Sequence, residues 1–152
     1  MIYDFVPFHE VAGEIAKNLE THYNDAELKD SYGRPNLDWD NYLAQSVAGS
    51  CRAVTARDNG KLVGYSVFCV GVNINHKTII QASNIGMFVW KKYRGKIAMD
   101  LIRNSDEFLR QIGVMEVMYV MQNKRLGSLL KRAKYDDKYV VWARDLNIKE
   151  EE

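Results

Sequence analysis

A chain of 152 residues is most simply one domain, long enough to bury about two thirds of its unfolded surface without a metal or a disulfide framework. At 47% hydrophobic and 27% charged it reads as globular rather than disordered, and 21 Lys plus Arg against 20 Asp plus Glu leave no overall field to draw it to nucleic acid or an anionic membrane. No apolar run reaches the ~18 residues that a membrane span needs, and the opening MIYDFVPFHE has neither the basic nor the apolar region of a signal peptide, so a cytoplasmic protein is expected.

In chain order, Ile2 to Val6 is a short apolar segment suited to an edge strand. Val11, Ile15, Leu19 and Tyr23 recur every four residues beside Ala12 and Ala16, which predicts a helix from about His9 to Tyr23 with one buried face. DAELKDSYGRPNLD has no period and carries Gly33 and Pro35, as an irregular connection would. Asp38 is placed to cap a second helix bearing Trp39, Tyr42, Leu43 and Val47 and stopping near Gly49.

Asn59-Gly60 predicts a two-residue hairpin turn, since both residues tolerate the positive φ it demands. If Asp58 faces Lys61, constant-sum pairing sets Cys51 opposite Phe68, with Cys69 one place along on the other face of the sheet. The two thiols are then expected not to bond and to act as small buried hydrophobes. His9, His22 and His76 lack the spacing of a metal site, and no metal is expected.

A second turn at Asn73 to His76 leads into a strand from about Lys77 to Trp90. Next come a helix from Lys96 to Ile112, ended by Gly113, an almost wholly apolar strand from Val114 to Met121 and a helix from Lys124 to about Lys134. Tyr139 to Trp142 predicts a last strand, and residues 146–152 a frayed tail on a single domain spanning 1–152. The fold expected is α+β, a mixed and mainly antiparallel central sheet flanked by about four helices.

The stretch MFVWKKYRGKIAMDLI, Met87 to Ile102, organises the rest: an apolar strand, a basic turn with one glycine, and the start of an amphipathic helix. Such a turn offers free N–H groups and the positive end of a helix dipole to phosphate.

With GKLVGYSVF in the hairpin, FVWKKYRGK at the strand and turn, a helix ending in LRQIGV, and NKRLGSLLKRAKYDD before YVVWARDL, the chain from about Gly60 to Leu146 resembles the GCN5-related N-acetyltransferases. It is most similar to the short members that bacteriophages and prophages carry. The resemblance implies direct transfer of an acetyl group from acetyl-CoA to an amine, by a monomer or a homodimer. Carried over by position, it implies backbone bonds from Phe88 and Val89 to pantetheine. Arg94, Gly95, Lys96, Ile97 and Ala98 would cradle the pyrophosphate, and Asn123 would touch the cofactor or cap the helix it opens.

The sequence departs from that family in three ways. YRGKIA is one residue shorter than the usual phosphate turn. Leu130 stands where many members keep a tyrosine as general acid, with Lys134 where a glycine is usual, which leaves Tyr135, Tyr119 or Tyr139 to substitute. Lys77 to Trp90 contains no carboxylate where many members have a glutamate base. Gln81, Ser83 and Asn84 are then candidates to hold a water, and His22, His76 and Glu116 are candidate bases. For the acceptor, the resemblance points to the stretch from Asn24 to Asp40, whose acids accompany Tyr32 and Trp39 and would suit a cationic amine. The rival expectation is a fold that has lost catalysis and serves as a binding or assembly module.

Overall fold

The computed structural model describes residues 1–25, 36–120 and 124–143. Among these residues five strands lie in sequence order across one sheet: β1 (Ile2–Pro7), β2 (Cys51–Asp58), β3 (Lys61–Asn73), β4 (His76–Val89) and β5 (Glu116–Tyr119). β1 through β4 are antiparallel neighbours, and β5 joins β4 in parallel. Among the described residues four helices flank the sheet: α1 (Ala12–Asp25), α2 (Trp39–Val47), α3 (Lys96–Gln111) and α4 (Lys124–Arg132). This is the expected α+β architecture with a mixed, mainly antiparallel sheet.

The sheet is buried on both faces. Phe8, Val11, Ala12 and Ile15 close one side over Cys51, Ala53, Tyr65, Val67 and Phe88, with Trp39 and Tyr42 of α2 at the margin. On the other side α3 lays Ala98, Leu101 and Leu109 over Val54, Val63, Phe68, Ala82 and Val89. Burial of one apolar stripe per helix stabilises this packing far more than helix propensity does. Arg57 of β2 grips Glu14 through both carboxylate oxygens and so pins α1 to the sheet.

Local signals decided several boundaries. Asp38 accepts a bond from the Asn41 amide at 3.0 Å and starts α2 as expected. Asn59 and Gly60 both sit at positive φ with Asp58 opposite Lys61. The first helix begins later than its apolar period suggests, because Phe8–Glu10 form a single 3₁₀ turn before α1.

Two expectations are corrected. Between Arg57↔Leu62 and Ala56↔Gly64 the register slips by one residue, with Val63 as the extra one, so Cys51 lies directly opposite Cys69 rather than Phe68. The thiols share a face of the sheet, Cys51 buried and Cys69 exposed. The bond that Cys51 donates holds Cys69 below the ordinary thiol range, and that bond and burial push Cys51 up. Antiparallel partners have Cα atoms about 4.5–5.5 Å apart, inside the roughly 4.4–6.8 Å window of a disulfide. Diamide should therefore remove both free thiols by forming one intramolecular bond, seen by mass as the loss of two hydrogens; intermolecular dimers or two persistent thiols would contradict the register.

Second, Tyr139 to Trp142 pairs with no strand among the described residues, and Val140, Val141 and Trp142 are 78%, 72% and 92% exposed. An apolar β-branched run has strand propensity, yet propensity acts only where a partner edge and a face to bury are available. Here Lys138 and Tyr139 bond to Glu116, which holds the chain beside β5 by side chains alone.

Candidate active site

The site is built where β4 and β5 part. They pair from Gln81↔Glu116 to Asn84↔Tyr119, after which β5 ends and β4 runs on to Val89. Over residues 85–89 nothing described pairs with the outer edge of β4. A second register slip, from Phe68↔Asn84 to Val67↔Gly86, leaves Ile85 as an extra residue, a bulge at the mouth of the opening.

Asn84 holds that bulge. Its side-chain amide donates towards Ser66 Oγ at 2.8 Å, the Val67 carbonyl at 3.1 Å and the Gly86 carbonyl at 3.2 Å. Two carbonyls facing one atom require it to be the nitrogen, so the amide orientation is fixed by chemistry. Beyond the bulge, the Trp90 amide bonds to the Val63 carbonyl at 3.0 Å and therefore faces β3. Strand alternation turns Phe88 the same way and leaves the N–H and C=O groups of Met87 and Val89 for the open edge. The Val89 carbonyl indeed accepts a bond from Arg94 Nε at 3.1 Å. Gly64 lets β3 and β4 approach closely here, since a Cβ on it would lie 3.1 Å from the Phe88 carbonyl oxygen.

From Val89 the chain enters the basic turn. Lys91–Tyr93 form a 3₁₀ turn tied down by Tyr93, whose hydroxyl donates to Asp58 at 3.0 Å. Arg94 is extended, and Gly95 adopts φ 90°, ψ −106°, a conformation essentially restricted to glycine. That single reversal accomplishes the turn despite its missing residue. The Met99 amide reaches back to the Gly95 carbonyl at 3.2 Å, so the amides of Lys96, Ile97 and Ala98 precede the helical ladder, and the cap residue, Gly95, has no side chain to bond them. Three N–H donors, the dipole of α3 and the charges of Arg94 and Lys96 thus converge at one end of the open edge. Gly95 and Lys96 are exposed, Arg94 and Ile97 half-buried, and Ala98 buried.

The remaining sequence candidates lie in several places. Ser83 is half-buried, paired with Cys69 and Met118 just before the strands part. Gln81 lies further back, its amide bonded to Asn73 at 2.8 Å and Glu116 at 2.6 Å. Lys138 and then Gln81 hold the Glu116 carboxyl below the usual carboxylate range, which suits an anchor better than a base. His76 opens β4 at the end far from the bulge. Tyr135 donates its hydroxyl to Asp106 of α3 and packs edge-on to Tyr119 at 5.4 Å. Burial, Tyr119 and Asp106 all push the Tyr135 hydroxyl up, so its proton is held firmly. Leu130 is buried, and Lys134 itself takes φ 65° where a glycine is usual, with the Tyr135 amide closing on the Leu130 carbonyl at 2.9 Å. Trp39 starts α2 and stacks on Phe8 at 6.2 Å. Tyr32 and Asn123 lie outside the described residues.

Sequence reasoning did not single out Met87 as an edge donor, nor Gly64 as a contact between strands. It counted His22 only as one of several candidate bases. In the fold His22 is buried on α1, bonded through Nδ1 to the Tyr65 hydroxyl at 2.8 Å and stacked on Phe88 at 4.9 Å.

No protein-family model matches the sequence, and no curated protein is significantly similar to it. Solved structures do match. A ribosomal-protein-alanine N-acetyltransferase from Brucella melitensis biovar Abortus 2308 superposes with a TM-score of 0.69 at 17% identity, covering 96% of this chain and 100% of that one. An aminoglycoside acetyltransferase from an uncultured soil metagenomic sample, in complex with sisomicin, gives 0.70 at 16% identity over 95% of each chain. A predicted acetyltransferase of Clostridium acetobutylicum, solved with acetyl-CoA, gives 0.69 at 13% identity over 93% of this chain and 95% of that one. The fold of this chain is that of the GCN5-related N-acetyltransferases. Among the described residues no helix is long and apolar enough to cross a membrane, and no cluster of side chains is arranged to hold a metal ion.

Proposed function

We propose that this chain, as one domain, transfers an acetyl group from acetyl-CoA to an amine by direct attack. The observation that carries the reading is the open edge of β4 running from the bulge at Ile85 into the start of α3. An extended pantetheine amide arm would pair with the backbone of Met87 and Val89 as an added strand does. For the Val89 carbonyl to accept from it, Arg94 must release that oxygen and turn to the phosphates. The amides of Lys96, Ile97 and Ala98, with the two cationic side chains, suit a dianionic pyrophosphate. The acetyl thioester would then lie near Gly86, facing α1. The acceptor is an amine that meets it there, and the neighbours that acetylate a protein alanine or an aminoglycoside supply two probes of different size.

A second reading keeps the cofactor and drops the chemistry. It is favoured by Leu130, which cannot donate a proton, together with the commitment of the Tyr135 hydroxyl to Asp106. Thermal unfolding with acetyl-CoA, CoA, ATP and no ligand separates these readings from none. A ligand at about 100 times its dissociation constant adds roughly 2.7 kcal/mol, or about 5–10 °C at this size. Acetyl-CoA and CoA should raise the midpoint and ATP should not; absence of any shift would sink both readings. Thiol release with an alanine-terminated peptide or sisomicin then distinguishes a transferase from a binding module.

A further inference from the structure

We infer that Cys51 and Cys69 form a thiol–disulfide exchange site for small disulfides, in which exposed Cys69 attacks and buried Cys51 resolves. The register brings the two thiols together, and its phase sets how close they come. The Val70 amide bonds to the Ser50 carbonyl at 2.7 Å. Ser50 and Val70 therefore face each other as a hydrogen-bonded pair, which makes the next pair along, Cys51 and Cys69, a non-hydrogen-bonded one. Partners of that kind have Cα atoms about 4.5 Å apart and side chains closer than in the hydrogen-bonded pairs beside them. A disulfide accepts a Cα separation of about 4.4–6.8 Å, so oxidation asks for side-chain rotation and little movement of the backbone.

The two sulfurs are unequal, and their roles follow from where each lies. Cys51 is 1% exposed, in the core layer it shares with Phe8, Ala53 and Val67, against which Tyr42 of α2 packs. Cys69 is exposed, with Ser83 of β4 as its other cross-strand neighbour. A disulfide in solution can reach only Cys69. The bond that Cys51 donates favours the Cys69 thiolate, and the thiolate is the form that attacks. Burial and then the nearby thiols push the Tyr42 hydroxyl up, so Tyr42 stays neutral beside the pair. Exchange runs with the attacking, central and leaving sulfurs nearly in line. Because Cys51 lies on the buried side of Cys69, a group carried on Cys69 leaves outward into water.

In the first step the Cys69 thiolate forms an S–S bond to one sulfur of the small disulfide. That molecule's own S–S bond breaks, and its other half leaves as a thiolate with the bonding pair. The adduct removes the charge that held the Cys51 proton in place. Cys51 then gives the proton to water, its sulfur attacks Cys69, and the second half leaves as a thiolate. Both released thiolates take up protons from water, so two protein thiols are oxidised to one disulfide and one small disulfide is reduced to two thiols. An excess of a small thiol drives both steps backwards.

The test exposes the whole protein to oxidised glutathione at neutral pH, with samples quenched in acid at intervals and weighed. One glutathione adduct, mapped to Cys69, should appear first. It should give way to a chain without adduct, two hydrogens lighter than the reduced form, in which peptide mapping finds Cys51 linked to Cys69. Excess reduced glutathione should restore both thiols. Cys51→Ala should stop at a lasting adduct on Cys69, because nothing resolves it. Cys69→Ser, at an exposed position, should leave buried Cys51 reacting at least about 100-fold more slowly than Cys69 does in the wild type. A first adduct on Cys51, a Cys69 adduct that persists in the wild type, or no reaction at either thiol would overturn the inference. If Cys51→Ala fails to fold, Cys69→Ser and the order of events in the wild type still decide it.

Discussion

Asn84→Leu is expected to cost about 2–4 kcal/mol of stability and to weaken acetyl-CoA binding about tenfold or more. Leucine has the same four-atom branched side chain as asparagine with bulkier methyl groups at its end, so no cavity is left. What is lost is a donor shared among Ser66 Oγ and the carbonyls of Val67 and Gly86. Each buried acceptor left without a partner costs about 1–3 kcal/mol. At this size the midpoint should fall by roughly 5–15 °C. Loss of binding should exceed what destabilisation alone explains, because the same amide fixes the bulge from which the open edge of β4 begins.

Leu109→Ala is the control, a fully buried residue of the α3 core whose removal costs a comparable 2–5 kcal/mol or so. If it weakens acetyl-CoA as much as Asn84→Leu does, the bulge has no special part in the site. Asn84→Asp sharpens the point, since a carboxylate there would face two carbonyl oxygens. Burial among acceptors raises the folded-state pKa of the introduced group above its unfolded value. The variant's deficit should therefore be small below the unfolded pKa of about 3.9 and grow as pH rises through the folded one.

The sequence made the frame legible where local chemistry decides geometry. The Asp38 carboxylate could cap only a helix starting at Trp39, and Asn59-Gly60 could make only a tight turn. The site was less legible because it depends on two bulges, at Val63 and Ile85. A bulge is one residue more on one strand than on its neighbour, and no residue type announces it. The first moved Cys51 opposite Cys69; the second turned Met87 and Val89 to the open edge.

His22 was obscured by a pattern. Val11, Ile15, Leu19 and Tyr23 recur in strict fours, but a helix turns about 100° per residue, so that series drifts about 40° per step off the buried face. Eleven residues on from Val11 the drift is only about 20°, and the residue there is His22, buried where Tyr23 is half-buried. Counting in turns rather than in fours would have set a histidine facing the sheet.

Arg94→Ala combined with Lys96→Ala should weaken CoA binding by about 30- to 1,000-fold while leaving the unfolding midpoint of the free protein almost unchanged. Lys96 is exposed, and the bond from Arg94 Nε to the Val89 carbonyl lies at the open edge, where water can replace it at a cost under about 1 kcal/mol. In the complex the two side chains would make charge-assisted bonds to phosphate, together about 2–4 kcal/mol and hence the range given. The three amides at the start of α3 remain, so binding should persist at reduced strength and with a shallower dependence on salt. S-acetylpantetheine, which carries the amide arm but no diphosphate, supplies the internal comparison. Its weak affinity should be the same for the double variant and the wild type, or slightly better once Arg94 no longer occupies Val89. Equal losses for both ligands would mean that the substitutions disturbed β4 itself, and unchanged affinity for CoA would mean that the diphosphate does not lie at this turn.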